Sequence, residues 1–255
     1  MANDLLDLEM LVPLMGGAAD IALPTENLLA LWYAGNGAVD HASISGSDGN
    51  PVTAWADISP SGGYDVSQAV EAARPVYHRS VAALNGRGAV EFDGDDYLER
   101  TIAAGIAANL DEYTILVVGI TSSDDCFYSE GRSTSSTPRI AVFLSSSTGF
   151  FDHRDNANVR AFSTGGGDIT GVKRLIVAHR IAAASFALRV DGVEIGTSTV
   201  EPTTTTINRL ALGALVATTV STFLTGHLAV CAVYGANNVA TIEPIAADFY
   251  EIALP

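Results

Sequence analysis

Short apolar runs broken by turn residues are the feature that most limits how this chain can fold. Residues 89–99, Ala-Val-Glu-Phe-Asp-Gly-Asp-Asp-Tyr-Leu-Glu, show the pattern. Val90 and Phe92 alternate with Glu91 and Asp93, which is the period of a half-buried strand. Asp93-Gly94 breaks it, because glycine accepts the positive φ of a tight turn. Tyr97 and Leu98 then resume an apolar run. The stretch predicts a strand, a tight acidic turn and a second strand.

Further strand candidates are 28–33, 52–57, 113–120, 126–128, 139–144, 174–180, 210–215 and 227–234. Residues 149–154 and 159–162 are set to pair across a turn at 155–158, and 185–190 to return as 193–196 through Asp191-Gly192. The 113–120 run is apolar throughout, as expected of a central strand covered on both faces. Helical spacing is confined to the ends. Leu5, Leu8, Leu11 and Val12 line one side of a short segment that Pro13 ends, and Ile245, Phe249 and Ile252 mark a final helix over 243–254. About a dozen strands with turns between them argue for one antiparallel sandwich or barrel. The division expected is an arm over 1–27, packed on its own domain or docked on another subunit, and a β domain over 28–255.

The 255 residues are 48% hydrophobic and 16% charged, enough for a sizeable core. The net charge is −16 and Lys173 is the only lysine. Such a surface repels phosphate backbones and argues against nucleic-acid binding. No run is long and apolar enough for membrane insertion, and no signal peptide is visible, so synthesis in a host cytoplasm is expected. Cys126 and Cys231 are too few for a disulfide framework and fit two buried thiols, with a single disulfide between them as the alternative.

One ordered set of motifs carries a resemblance. It runs Leu31-Trp32-Tyr33, Val52-Thr53-Ala54-Trp55-Ala56-Asp57, Arg74-Pro75, Leu84-Asn85-Gly86 and Val90 to Leu98. It continues with Val190-Asp191-Gly192-Val193, Leu212-Gly213-Ala214 and Gly226 to Tyr234. In this order the segments resemble the concanavalin A-like lectin/glucanase superfamily, closest to the LamG-type (laminin G-like) sandwiches of phage and bacterial surface proteins. The resemblance implies an all-β, antiparallel jelly-roll β-sandwich that binds glycans or proteins, sometimes with Ca2+. Enzymatic members carry Glu-x-Asp-x-x-Glu on one strand. Here Glu91, Asp93 and Asp96 stand at those positions with Gly94 between them, a departure that argues against glycoside hydrolysis.

Asp93, Asp95 and Asp96 are either ligands for a hard cation such as Ca2+ or an acidic turn bonding its own amides. Tyr64, Tyr128 and Phe151 are expected on the loop side as glycan or partner contacts, as is His153, whose Asp152-His153-Arg154-Asp155 stretch reads as a polar binding loop or a solvated turn; Trp32 and Trp55 are expected in the core. Leu5, Leu8, Leu11 and Val12 form the candidate attachment arm. The function expected is a non-enzymatic structural protein on the surface of a tailed-phage virion, a capsid decoration (cement) or tail-associated protein. Its expected partners are other virion proteins, a second copy of itself or a cell-surface glycan. The alternatives are a tail-fibre or bacterial carbohydrate-binding module and, last, a glucanase.

Overall fold

The computed structural model describes residues 19–145 and 147–255, so the expected arm residues Leu5, Leu8, Leu11 and Val12 lie outside the described residues. In chain order the first strands are β1 (Leu28–Tyr33), β2 (Ala54–Trp55), β3 (Val66–Ser67), β4 (Val76–Val81), β5 (Arg87–Asp93) and β6 (Leu98–Thr101). The middle of the chain forms β7 (Tyr113–Thr121), β8 (Cys126–Arg132), β9 (Ser135–Ser145), β10 (Thr148–Arg154), β11 (Arg160–Gly165) and β12 (Arg174–Ala182). The last strands are β13 (Ser185–Val190), β14 (Val193–Ser198), β15 (Arg209–Leu212), β16 (Leu215–Val216), β17 (Val220–Ser221) and β18 (Thr225–Tyr234), followed by helix α1 (Val239–Tyr250).

Two eight-stranded antiparallel sheets face each other. Sheet I runs β14-β13-β12-β7-β18-β5-β4, with β1 also paired to β18. Sheet II runs β11-β10-β9-β8-β15-β6-β3-β2. Together they form an antiparallel jelly-roll β-sandwich. The acidic turn at Gly94 does not close a hairpin. β5 belongs to sheet I and β6 to sheet II, so the turn carries the chain from one sheet to the other. Phe92 and Leu98 then enter the same core from opposite sides. Asp191-Gly192 does close its hairpin: both residues have positive φ, the conformation a two-residue return needs.

The shared core holds Trp32, Trp55, Phe92, Phe127, Phe151 and Phe186, all essentially inaccessible. Sheet I buries its other face as well. Leu116, Val118, Leu175, Val177 and Val230 pack under Ile242, Ala246 and Tyr250 of α1. That double burial is what the uninterrupted apolar sequence of β7 requires. The helix lies four residues earlier than its periodicity indicates, starting after Asn238 and running through Pro244. Glu251, in the left-handed conformation, ends it by bonding back to Ala247 and Asp248. Residues 19–27 lie on this side too, with Ile21 and Leu23 in the cluster and Tyr234 Oη donating to the Pro24 carbonyl at 3.0 Å.

Three expected contact residues are core residues instead. A β-bulge between Cys126 and Tyr128 turns both Phe127 and Tyr128 inward. Phe151 and His153 occupy alternate inward positions of β10, which extends through Arg154. His153 is not in a loop: Nδ1 pairs with Tyr113 Oη at 2.9 Å and Nε2 with Thr205 Oγ1 at 3.1 Å. Burial, with Arg180 nearby, lowers its pKa to about 3, so it stays neutral. In the same cross-strand row, on the other side of Ile140, Glu130 Oε1 accepts from Tyr128 Oη and from the Ala107 amide, while Oε2 has no hydrogen-bond partner. Burial raises the Glu130 carboxyl to about 7.

These two groups oppose each other in pH. Between about 4.5 and 7 the folded state keeps a proton on Glu130 that the unfolded chain releases, so this term weakens the fold as pH rises. Between about 3 and 6.5 the unfolded chain takes up a proton that folded His153 refuses, so that term weakens the fold as pH falls. Glu130→Gln removes only the first. The Tm of E130Q relative to the parent is expected to rise from pH 5 to pH 8 in thermal melts; a constant difference would contradict the neutral, buried Glu130.

Candidate functional site

Helix α1 and residues 19–27 cover one face of sheet I, whereas no helix among the described residues packs on the outer face of sheet II. On β10 the inward positions are Gly149, Phe151 and His153, so Phe150, Asp152 and Arg154 point outward. Register then fixes three rows across β9, β10 and β11. Arg139, Arg154 and Arg160 oppose one another in the first row. Ala141, Asp152 and Phe162 form the second, and Phe143, Phe150 and Thr164 the third. At two residues per row, the cationic and aromatic rows lie roughly 13 Å apart.

Like charges on directly opposed strand positions repel. Asp152 relieves the repulsion. Its side chain is fully buried beneath three guanidiniums, with Arg139 Nη2 at 2.6 Å, Arg160 Nε at 2.7 Å and Arg154 Nε at 3.1 Å. Burial is the main influence lowering the Arg154 pKa, with Arg139 and Arg160 adding to it against Asp152. Three cations on one carboxylate leave an excess of positive charge on this row in a chain of net charge −16. The arginines keep 15%, 21% and 32% of their side chains exposed, enough to meet a ligand.

Apolar surface adjoins the cations. Phe162 is 43% exposed, and the Arg160 guanidinium lies 4.6 Å from its ring centre. Phe143 and Phe150 stack with centroids 5.2 Å apart. On the β8 side the patch is bounded by the β16–β17 hairpin, whose Leu215 packs with Cys126, Ala141 and Phe143. A guanidinium row binds carboxylates through paired N–H donors, and exposed aromatic rings take apolar ligand faces. The arrangement suits a ligand with an acidic group at one end and a C–H-rich face beside it.

The sequence-predicted residues distribute differently. Tyr128, Phe151 and His153 lie beneath this face, in the core. Tyr64 is half-buried at the mouth of a cleft at one end of the sandwich. Asp93, Asp95 and Asp96 do come together, with one carboxylate oxygen of each within 4.8 Å of the others. Burial first, and then the charge of Asp93, raises Asp96 to about 7. The donors suit a hard cation, but three carboxylates fall short of the six to eight oxygens that calcium takes. The Asp95 amide reaches Asp93 Oδ1 at 3.4 Å, as an acidic turn does. Glu91, the first carboxylate of the glucanase-like motif, is held by His78, whose Nε2 lies 2.6 Å from Oε2. Sequence reading missed Arg139, Arg154 and Arg160. The available signal is the alternation of Phe150, Asp152 and Arg154 along the expected 149–154 strand, which places them on one face.

No protein-family model and no curated protein sequence matches the chain. Its fold does match solved structures. The CBM40 of the Ruminococcus gnavus IT-sialidase, bound to α2,3-sialyllactose, aligns with a TM-score of 0.52 at 13% identity, over 62% of this chain and 96% of that one. A Trypanosoma rangeli sialidase in complex with 2,3-difluoro-KDN aligns with a TM-score of 0.51 at 16% identity. It is matched over 93% of this chain, which spans only 35% of the sialidase. Domains LG4-5 of the mouse laminin α1 chain align with a TM-score of 0.44 at 16% identity, over 57% of this chain and 40% of that one. At such identities the likeness is one of fold, a jelly-roll β-sandwich.

The buried Asp152 makes this row testable. Asp152→Asn leaves three crowded guanidiniums without their counter-charge, and is expected to lower stability by about 3–5 kcal/mol in urea denaturation. Arg160→Gln removes one partly exposed partner and is expected to cost under about 1 kcal/mol. Equal costs for the two variants would contradict Asp152 as the centre of the row.

Proposed function

We propose that this chain is a non-enzymatic, glycan-binding module of lectin-like fold, and that it takes a carboxylate-bearing sugar on the outer face of sheet II. The observation that carries the reading is the row Arg139, Arg154 and Arg160 over buried Asp152, next to exposed Phe162. Arginine forks meet a carboxylate in paired hydrogen bonds, and Phe162 takes the apolar face of the ring. Two further facts support it. The chain shares its fold with a CBM40 bound to a sialylated sugar. Glu91 is engaged by His78 and Gly94 separates it from Asp96, which disfavours the paired carboxyls of a glycosidase.

In this proposal the module sits on the outer surface of a tailed-phage virion, as a capsid decoration or tail-associated protein. The ordered resemblance to LamG-type phage and bacterial surface sandwiches supports that setting. So does the acidic, lysine-poor composition, which keeps particles apart. The host surface glycan is then the partner of the sheet II face, and virion proteins are the partners of the remaining surface.

Calorimetric titration with α2,3-sialyllactose and with lactose tests the reading. The acidic sugar is expected to bind in the micromolar to millimolar range and lactose at least about tenfold more weakly. Arg160→Gln and Phe162→Ala are each expected to weaken the acidic sugar about tenfold with little loss of stability. Equal binding of both sugars, or an R160Q variant of unchanged affinity, would sink it.

A further inference from the structure

At one end of the sandwich the 59–64 loop and the 101–110 loop enclose an open cleft of about 700 Å³. The volume lies in the range of sites for small organic ligands. Leu29, Ile102, Ala103, Ala104, Ile106 and Leu110 give it apolar walls, and Tyr64 and Ser61 complete the lining. Arg100 is the only charged residue among the described lining, in a chain with 29 acidic residues.

Arg100 is placed there by strand register. It follows core residue Leu98 by two positions on β6 and opposes core residue Leu210 on β15, so its side chain starts between the sheets. Its Nη1 donates to the Asp65 carbonyl at 3.1 Å, and it forms no ion pair among the described residues. Eight arginine–carboxylate contacts occur elsewhere among the described residues, and none of their carboxylates lines this cleft. A neutral apolar ligand filling this cleft would strip water from Arg100 and return nothing for the charge. A ligand with one anionic group offsets that cost, and the apolar walls take the rest of it.

We propose that the cleft between Tyr64, Arg100 and Leu110 is a second ligand site, for a monocarboxylate with an apolar body. Its carboxylate pairs with the Arg100 guanidinium, and its hydrocarbon part lies along Ile102, Ala104 and Ile106. The site is separate from the arginine row of sheet II and stands or falls independently of glycan binding.

Titration of the full-length chain with octanoate, and with octan-1-ol as the uncharged counterpart, tests the assignment. Octanoate is expected to bind at least about tenfold more tightly than octan-1-ol. Arg100→Gln is expected to remove that preference. Ala104→Trp, a change at an exposed position, fills the cleft and is expected to abolish binding of both at this site. Circular dichroism checks that each variant is folded. Absence of octanoate binding to the parent chain, an R100Q variant that keeps the preference, or an A104W variant that binds normally would each overturn the proposal.

Discussion

The burial of β7 on both faces organises this protein. Residues Tyr113–Thr121 are buried almost without interruption, against the shared core on one side and the α1 cluster on the other. A strand of that kind cannot lie at an edge or face water, so it fixes sheet I as the inner layer of a three-layer stack. Helix α1 and residues 19–27 supply the outer layer, and sheet II closes the core from the opposite side. Sheet II is thereby left with a broad face free for polar chemistry. The place of the arginine row thus follows from packing at the far side of the molecule.

That row is expensive in local terms. Three guanidiniums on neighbouring strands repel, and a fully buried carboxylate loses its hydration. Together they settle into a cluster that stays cationic. Buried ionic clusters are often replaceable by packed apolar residues at little cost to stability, and departures of this sort from local consistency are found at functional sites. In a chain of net charge −16, a row of three guanidiniums on one carboxylate is a local inversion of charge, of the kind that draws an anionic ligand.

Much of the architecture was legible in the sequence, because alternation and turn chemistry report directly on strands. The 149–154 and 159–162 segments pair as expected, the Asp191-Gly192 hairpin forms, and both tryptophans are in the core. What escaped depends on relations between strands. The Gly94 turn looks like a hairpin locally, and only the pairing of β5 with β18 and of β6 with β15 shows it crossing between sheets. Tyr128 reads as a loop-side ring until the bulge at Cys126 turns it inward. The arginine row was hidden for the same reason. Arg139, Arg154 and Arg160 have no common spacing in sequence, and only cross-strand register brings them together.

The most direct test of the sheet II site is NMR observation of the arginine Nε–Hε groups while α2,3-sialyllactose is titrated into the labelled protein. Arg139, Arg154 and Arg160 are expected to shift together along one saturation curve, while Arg100 and Arg209 stay in place. Saturable shifts confined to other arginines, or no shift on the three while binding occurs, would place the glycan elsewhere and contradict it.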